Sequence, residues 1–398
     1  MLAVQYLEPG PDVANLEPAE VRQTLQVAFG RLPISCVILG WGLPQPLVDA
    51  CAQEAAQAGA QLFLWYPLLA GQAGFAPRRE WLAEGADGEP VPAFRGLPEF
   101  TFLCPSRAEA REAALERFLQ ALRGGPYHGV FLDRLRYPSP AADPRRFLAC
   151  FCPDCWHAAE SEGLDLGQVQ RGIGPLTDSR EGLRAFVHVL LDPKADVPLE
   201  EDLEPLRRFL EFRMPSITGF VRAASGIANR EGLDVGLDCF SPALASMVGQ
   251  DLAALDRCAS WIKIMVYGHS LGPAGIPFEL SALADWAGAR GVARPEEILD
   301  WVRQATHLTL PADLEVLRQR GLPPEDLAGE VQRGRAAGVR RLLAGIELVD
   351  LEGVTSLHHD QIVADLSAIR GAKPDGLVIS WDLRRIRPER LDLVRSMI

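Results

Sequence analysis

The sequence predicts an α/β fold, a (β/α)8 TIM barrel with long inserted βα loops, and three observations predict it. Eight short apolar runs are spread along 398 residues, they alternate with amphipathic helical stretches, and several end in a polar residue or a turn. Runs of about six residues alternating with helices read as parallel strands of βα units. Eight such units are what a closed barrel demands, whereas a doubly wound sheet needs only about five or six strands. Composition agrees: at 48% hydrophobic and 23% charged residues the chain is too apolar for disorder. It also lacks the roughly 20 uninterrupted apolar residues of a membrane span.

The first run is Ala3 to Glu8, followed by a helix opened by Glu17-Pro18-Ala19-Glu20 and carried through Val21, Leu25 and Phe29. Ser35 to Trp41 is the second, with a helix from Pro46 through the alanine-rich stretch around Cys51 to Ala58. Gln61 to Pro67 is the third. The other five are Gly129 to Asp133, Leu233 to Phe240, Trp261 to Tyr267, Arg341 to Leu348 and Gly376 to Asp382. Their spacing is uneven. One domain over 1–398 is therefore expected, its surplus over a barrel of about 250 residues lying in insertions at roughly 68–125, 138–205 and 268–335. Asp178 to Pro205, rich in Pro, Asp and Glu, is the clearest inserted excursion. No internal repeat or low-complexity tract interrupts the pattern, and Gly172-x-Gly174 follows no strand, so it is not a phosphate loop.

Charge narrows the partners. Forty Lys+Arg against 53 Asp+Glu leave a net charge of −13, which disfavours nucleic acid and anionic membrane surfaces, both bound mainly through basic patches. A small neutral or basic substrate stays open, as does self-association into a homo-oligomer. The N-terminus, Met1 to Glu8, has no basic segment and meets a charge before a signal-type apolar stretch can form, so a cytoplasmic location is expected. Eight cysteines are too few for a disulfide framework. Three of them, Cys150, Cys152 and Cys155, form C-x-C-x2-C, a spacing that in a reducing compartment suits a tetrahedral metal such as zinc.

Barrel chemistry sits at the C-terminal ends of the strands, so ionisable residues there carry the functional reading. Asp133 ends the fourth run and Asp238 stands near the end of the fifth. In the sixth, the period of two puts Lys263, Met265 and Tyr267 on one face. Glu347 ends the seventh, after Gly345, whose small size leaves room inside the barrel. Structural alternatives exist: Asp133 could cap a loop or pair with Arg134 or Arg136, Asp238 could bond Ser241 in a turn, and Lys263 could be a counter-ion that holds a carboxylate. Glu347 is harder to place in an apolar layer without a partner or solvent. Trp381, ending the last run, offers a flat apolar face or fills the core. Two carboxylates across a barrel mouth are what glycosidic cleavage requires. Strands four and seven lie nearly opposite, which makes Asp133 and Glu347 the expected pair.

The stretch Gly129-Val130-Phe131-Leu132-Asp133-Arg134-Leu135-Arg136-Tyr137-Pro138 resembles the fourth strand of the hypothetical glycosyl hydrolase families of TIM-barrel proteins. Trp81-Leu82 followed by Asp87-Gly88-Glu89-Pro90-Val91, Lys263-Ile264-Met265-Val266-Tyr267 and Ile379-Ser380-Trp381-Asp382 support it. The cysteines resemble the metal site of glycoside hydrolase family 42 β-galactosidases. That resemblance implies that Cys104 joins Cys150, Cys152 and Cys155 in a closed, structural four-thiolate zinc site. It also implies hydrolysis of O-glycosidic bonds in an oligosaccharide or polysaccharide with a retaining outcome, Glu347 matching the nucleophile. Asp133 stands where that family has Asn-Glu, so Asp133 or else Asp238 is the acid. Arg136, Tyr137, Lys263, Tyr267, His269 and Trp381 are the expected substrate-side residues. The replaced Asn-Glu motivates the alternative, a non-catalytic carbohydrate-binding barrel. An iron–sulfur or catalytic metal centre is disfavoured by the unusual cysteine spacing and the absence of a nucleotide loop. His358-His359 point to different faces of a helix, and His128 precedes its strand at the wrong end of the barrel.

Overall fold

The structure, a computed structural model, describes every residue except 11, 14, 73, 74 and 195–202 and the side chain of Pro98. Its eight strands are β1 Leu2–Tyr6, β2 Cys36–Leu39, β3 Gln61–Pro67, β4 Gly129–Asp133, β5 Asp234–Cys239, β6 Trp261–Met265, β7 Leu342–Glu347 and β8 Gly376–Ser380. All pair in parallel and in chain order, and β8 returns to β1, so the sheet is a closed barrel. The expected (β/α)8 architecture is therefore the one found. The strands are almost wholly buried because helices cover the outer wall while side chains fill the lumen.

Helices α1 Pro18–Arg31 and α2 Gln45–Gln57 form where the apolar spacing predicts them, α1 starting on a capping box between Glu17 and Glu20. After β3 come α3 Ala108–Leu122 and, beyond β4, α4 Pro153–Ser161, α5 Leu166–Thr177, α6 Arg180–Leu191 and α7 Glu204–Arg230. The short α8 Pro242–Ala245 and α9 Leu252–Asp256 follow β5. Between β6 and β7 lie α10 Ile276–Gly288, α11 Pro295–Thr306, α12 Leu314–Arg320 and α13 Pro324–Ala336; α14 His359–Gly371 and α15 Pro388–Met397 flank β8. The Pro- and acid-rich excursion Asp178 to Pro205 forms α6 and opens α7, and its residues 195–202 lie outside the described part. Among the described residues no helix is long and apolar enough to cross a membrane.

Two layers of the lumen position the site. Phe63, Phe131 and Trp261 fill the lower barrel, with Phe131 stacked on Trp261 at 5.3 Å. Above them Lys263 crosses toward β1. The space beside Gly345 is what admits it: a Cβ there would fall 2.2 Å from Lys263 Cε.

Candidate active site

Lys263 is fully buried, and its Nζ donates to Gln5 Oε1 at 3.0 Å, Asp238 Oδ2 at 3.0 Å and Tyr267 Oη at 2.7 Å. A buried ammonium with three oxygen partners has its hydrogen bonds complete. Asp238 is less complete, since its Oδ1 is buried with no hydrogen-bond partner. Burial pushes the Asp238 carboxyl up to about 7, the Lys263 charge opposing it.

This polar layer floors a cavity of about 320 Å³ at the C-terminal mouth of the barrel, a size at the lower end for ligand sites. Asp133 and Asp238 both line it, as does Glu8 just past the end of β1. Asp133 acts only as an acceptor. Its Oδ2 takes the Trp65 indole N–H at 2.9 Å and the Arg134 guanidinium at 3.4 Å, and its Oδ1 takes the Arg134 backbone N–H. Glu8 lies 3.8 Å from the Arg134 guanidinium, and burial pushes its carboxyl up to about 7 despite that cation. The backbone is bent sharply at both places: Leu7 and Arg134 have φ of 57° and 55°, a left-handed conformation that costs a non-glycine residue roughly 1–3 kcal/mol. The two strained positions flank the two carboxylates. The Leu7 turn is held by a hydrogen bond from its N–H to Asp382 Oδ1 at 3.2 Å.

The other expected residues divide. Arg136, Tyr267 and Trp381 line the cavity, with Tyr267 and Trp381 in ring contact at 5.8 Å. Lys263 acts from below through Asp238, Gln5 and Tyr267, which all face the cavity. Tyr137 is turned into the core, where its hydroxyl bonds Ser216 Oγ at 2.8 Å beneath Arg213. Glu347 does not line the mouth. Its Oε1 accepts the His269 backbone N–H at 2.7 Å, and the residue borders a separate space of about 10 Å³ with Val266 and Asp365, room for about one water. His269 is fixed at both ring nitrogens, by Asp365 Oδ2 and by the Arg320 carbonyl, each at 2.9 Å. Burial lowers the His269 pKa, but Asp365 and the Glu347 charge outweigh it and the net shift is upward. The structure thus joins Asp133 with Asp238 and Glu8, and joins Glu347 with His269 and Asp365.

Glu8 escaped the sequence reading although the same strand-end rule applies to the run Ala3 to Glu8. Trp65, which orients Asp133, gives no sequence signal beyond its place near the end of β3.

Beside the mouth, Cys104, Cys150, Cys152 and Cys155 place their Sγ atoms within 4.8 Å of one another, all buried, an arrangement able to hold a metal ion. Cys104 lies 3.5 Å from both Cys152 and Cys155. The surroundings fit such a group. Arg213 of α7 is fully buried, and none of its three guanidinium nitrogens has a hydrogen-bond partner; it stacks over Tyr137 at 4.6 Å. A buried cation without a counter-charge is costly, and a metal-bound thiolate cluster would supply one.

Solved structures share this architecture. The PgaB (BpsB) glycoside hydrolase domain from Bordetella bronchiseptica aligns with 100% of this chain and 98% of its own, at 13% identity and a TM-score of 0.54. The β-galactosidase from the psychrophilic Marinomonas ef1 gives 12% identity and a TM-score of 0.58 over 99% of this chain, which spans only 59% of that enzyme. For α-L-fucosidase isoenzyme 2 from Paenibacillus thiaminolyticus the identity is 10% and the TM-score 0.50, covering 100% of this chain and 48% of that one. The sequence matches no family model and no curated protein. At these identities the likeness is one of fold: a TIM barrel of the kind that glycoside hydrolases use.

Proposed function

We propose that the protein is a glycoside hydrolase whose chemistry lies on the β1, β4 and β5 side of the barrel mouth. The observation that carries this reading is the convergence of three strand-end carboxyl groups, Glu8, Asp133 and Asp238, on one cavity. Glycosidic cleavage needs one carboxyl that gives a proton to the leaving oxygen and one carboxylate that attacks the anomeric carbon or activates water. Asp133, held only by N–H donors, takes the anionic role. Glu8, pushed to about 7 and open to the cavity, is the proton donor. Asp238 and Lys263 set the polar floor, and Tyr267 and Trp381 offer the faces on which a sugar ring packs. Glu347 serves in this reading as an anchor for the segment after β6, which carries Leu271 to Ala274 to the cavity wall.

The cysteine cluster is assigned to structural zinc. Zn–S bonds of about 2.3 Å at tetrahedral angles put sulfurs about 3.8 Å apart, close to the separations of 3.5 Å between Cys104 and its two neighbours. Four thiolates leave no open coordination position, so the metal's contribution is to tie the loops after β3 and β4 together. A panel of nitrophenyl glycosides and oligosaccharides tests the central assignment. Turnover by the parent protein that is lost in Asp133→Asn supports it. Sugar binding with no turnover of any substrate favours the non-catalytic barrel, and turnover that survives Asp133→Asn removes Asp133 from the chemistry.

A further inference from the structure

Arg136 is buried, only 5% exposed, yet it lines the mouth cavity. Its guanidinium is clamped between two rings, Phe102 at 4.4 Å and Phe240 at 4.7 Å. Nη1 donates to the Tyr137 carbonyl at 3.1 Å. That is the one hydrogen bond found for this side chain among the described residues, and no carboxylate there comes within ion-pair distance of it. The nearby acids are already engaged. Asp238 is taken by Lys263, and Asp133 and Glu8 by Arg134. Glu279, whose charge acts on Arg136 from beyond ion-pair distance, accepts from Ser139 Oγ at 2.9 Å and from the Ala141 and Ala274 backbones at 3.2 and 3.0 Å. At the rim, Arg95 stacks on Phe94 at 5.1 Å, with Glu99 as the acid on the same wall.

A guanidinium pinned by two aromatic faces loses little further freedom on binding, and its free edge presents N–H donors in a fixed plane. Such an edge, desolvated and with no carboxylate inside ion-pair distance, pairs best with a carboxylate of the ligand, since Glu279 and Asp133 act on it only from farther away. A neutral hydroxyl would add no counter-charge to it. We propose that the glycan bound in this cavity carries a carboxylate, as a uronic acid does, and that Arg136 is the residue that recognises it. The proposal rests on the carbohydrate reading above and adds the class of sugar. It also runs against what the net charge of −13 would suggest for the molecule as a whole, but the cavity lining itself is balanced, with Arg95, Arg134, Arg136 and Arg385 beside Glu8, Glu99, Asp133 and Asp238.

The test is calorimetric binding of galacturonate and glucuronate oligosaccharides and of the same oligosaccharides with their carboxyls reduced to alcohols. The parent protein should bind at least one acidic member roughly tenfold or more tighter than its reduced form, the usual scale of a charge-assisted bond. That preference should weaken with salt, disappear in Arg136→Met and persist in part in Arg136→Lys. Melting curves check that the variants fold; if Arg136→Met does not, the parent and Arg136→Lys decide the matter. Equal or tighter binding of the reduced forms, a preference that survives Arg136→Met, or no binding of any acidic member overturns the proposal. Turnover of neutral glycosides without acid preference would sink this inference and leave the hydrolase reading standing. Acid-selective binding with no turnover of the acidic oligosaccharides would do the reverse.

Discussion

Glu8 and Asp133 show how much the environment of a carboxyl group decides its work. Both flank the same guanidinium, that of Arg134, but Asp133 has an indole N–H and a backbone N–H as well, while Glu8 has the Arg134 charge at 3.8 Å and a desolvating wall. Glu8, with its carboxyl raised to about 7, should supply the alkaline limb of the activity profile. On that side activity should fall as pH rises through about 7, because the donor loses its proton. In Glu8→Gln the rate should drop by roughly 10²–10⁴-fold, the usual worth of a general acid, and the alkaline limb should vanish from what remains; an unchanged limb would transfer the role to Asp238. Asp133 and Asp238 were legible from strand-end position alone, and Glu8 would have been by the same rule. Tyr137 was not, because beyond the last strand residue the period of two lapses, and its ring follows Arg213 into the core. Nor was the direction of Glu347, since nothing in Gly345-Ile346-Glu347 signals that the backbone N–H of His269 competes for the carboxylate.

At the scale of elements, the strands were readable to within two residues at either end. Buried parallel strands leave continuous apolar runs, whereas the connections after β3, β4 and β6 obey no such constraint. The four-cysteine site joins two of those connections. A metal held there should depend on the counter-charge from α7. Arg213→Met should lose zinc roughly 10–100-fold more readily in a chelator competition, the scale for removing a supporting group around a metal, while Arg213→Lys should recover part of the affinity. Metal retention equal to that of the parent would show that Arg213 is not the counter-charge. The segment after β6 is tied down differently, through His269 between Asp365 and the Arg320 carbonyl with Glu347 on its backbone. His269 is raised above its ordinary 6.5 and Glu347 is pushed up by burial to about 7. For a group whose pKa is raised on folding, the stabilisation is complete below the unfolded value and fades as pH climbs through the folded one. The parent should therefore melt a few degrees above His269→Gln near pH 6, and the gap should narrow by pH 9. A gap that widens with pH would contradict the arrangement.

For the whole molecule, the eight-stranded barrel was legible because the count and the alternation with helices leave few other architectures. The function was legible only as far as the mouth. Which carboxylates share a cavity depends on side-chain directions at strand ends, and these are settled by partners far apart in the chain: Trp65 for Asp133, Arg134 for Glu8, Lys263 for Asp238 and His269 for Glu347. The cavity that results also differs from the chain as a whole, since four arginines there face four carboxyl groups in a protein of net charge −13. The central claim is that the β1, β4 and β5 side carries the reaction, and the most direct measurement compares Asp133→Asn with Glu347→Gln on the best substrate found for the parent. Asp133→Asn is expected to lower kcat by roughly 10²–10⁴-fold, with Glu347→Gln staying within about tenfold of the parent. Near-normal kcat in Asp133→Asn together with a collapse in Glu347→Gln would contradict the account.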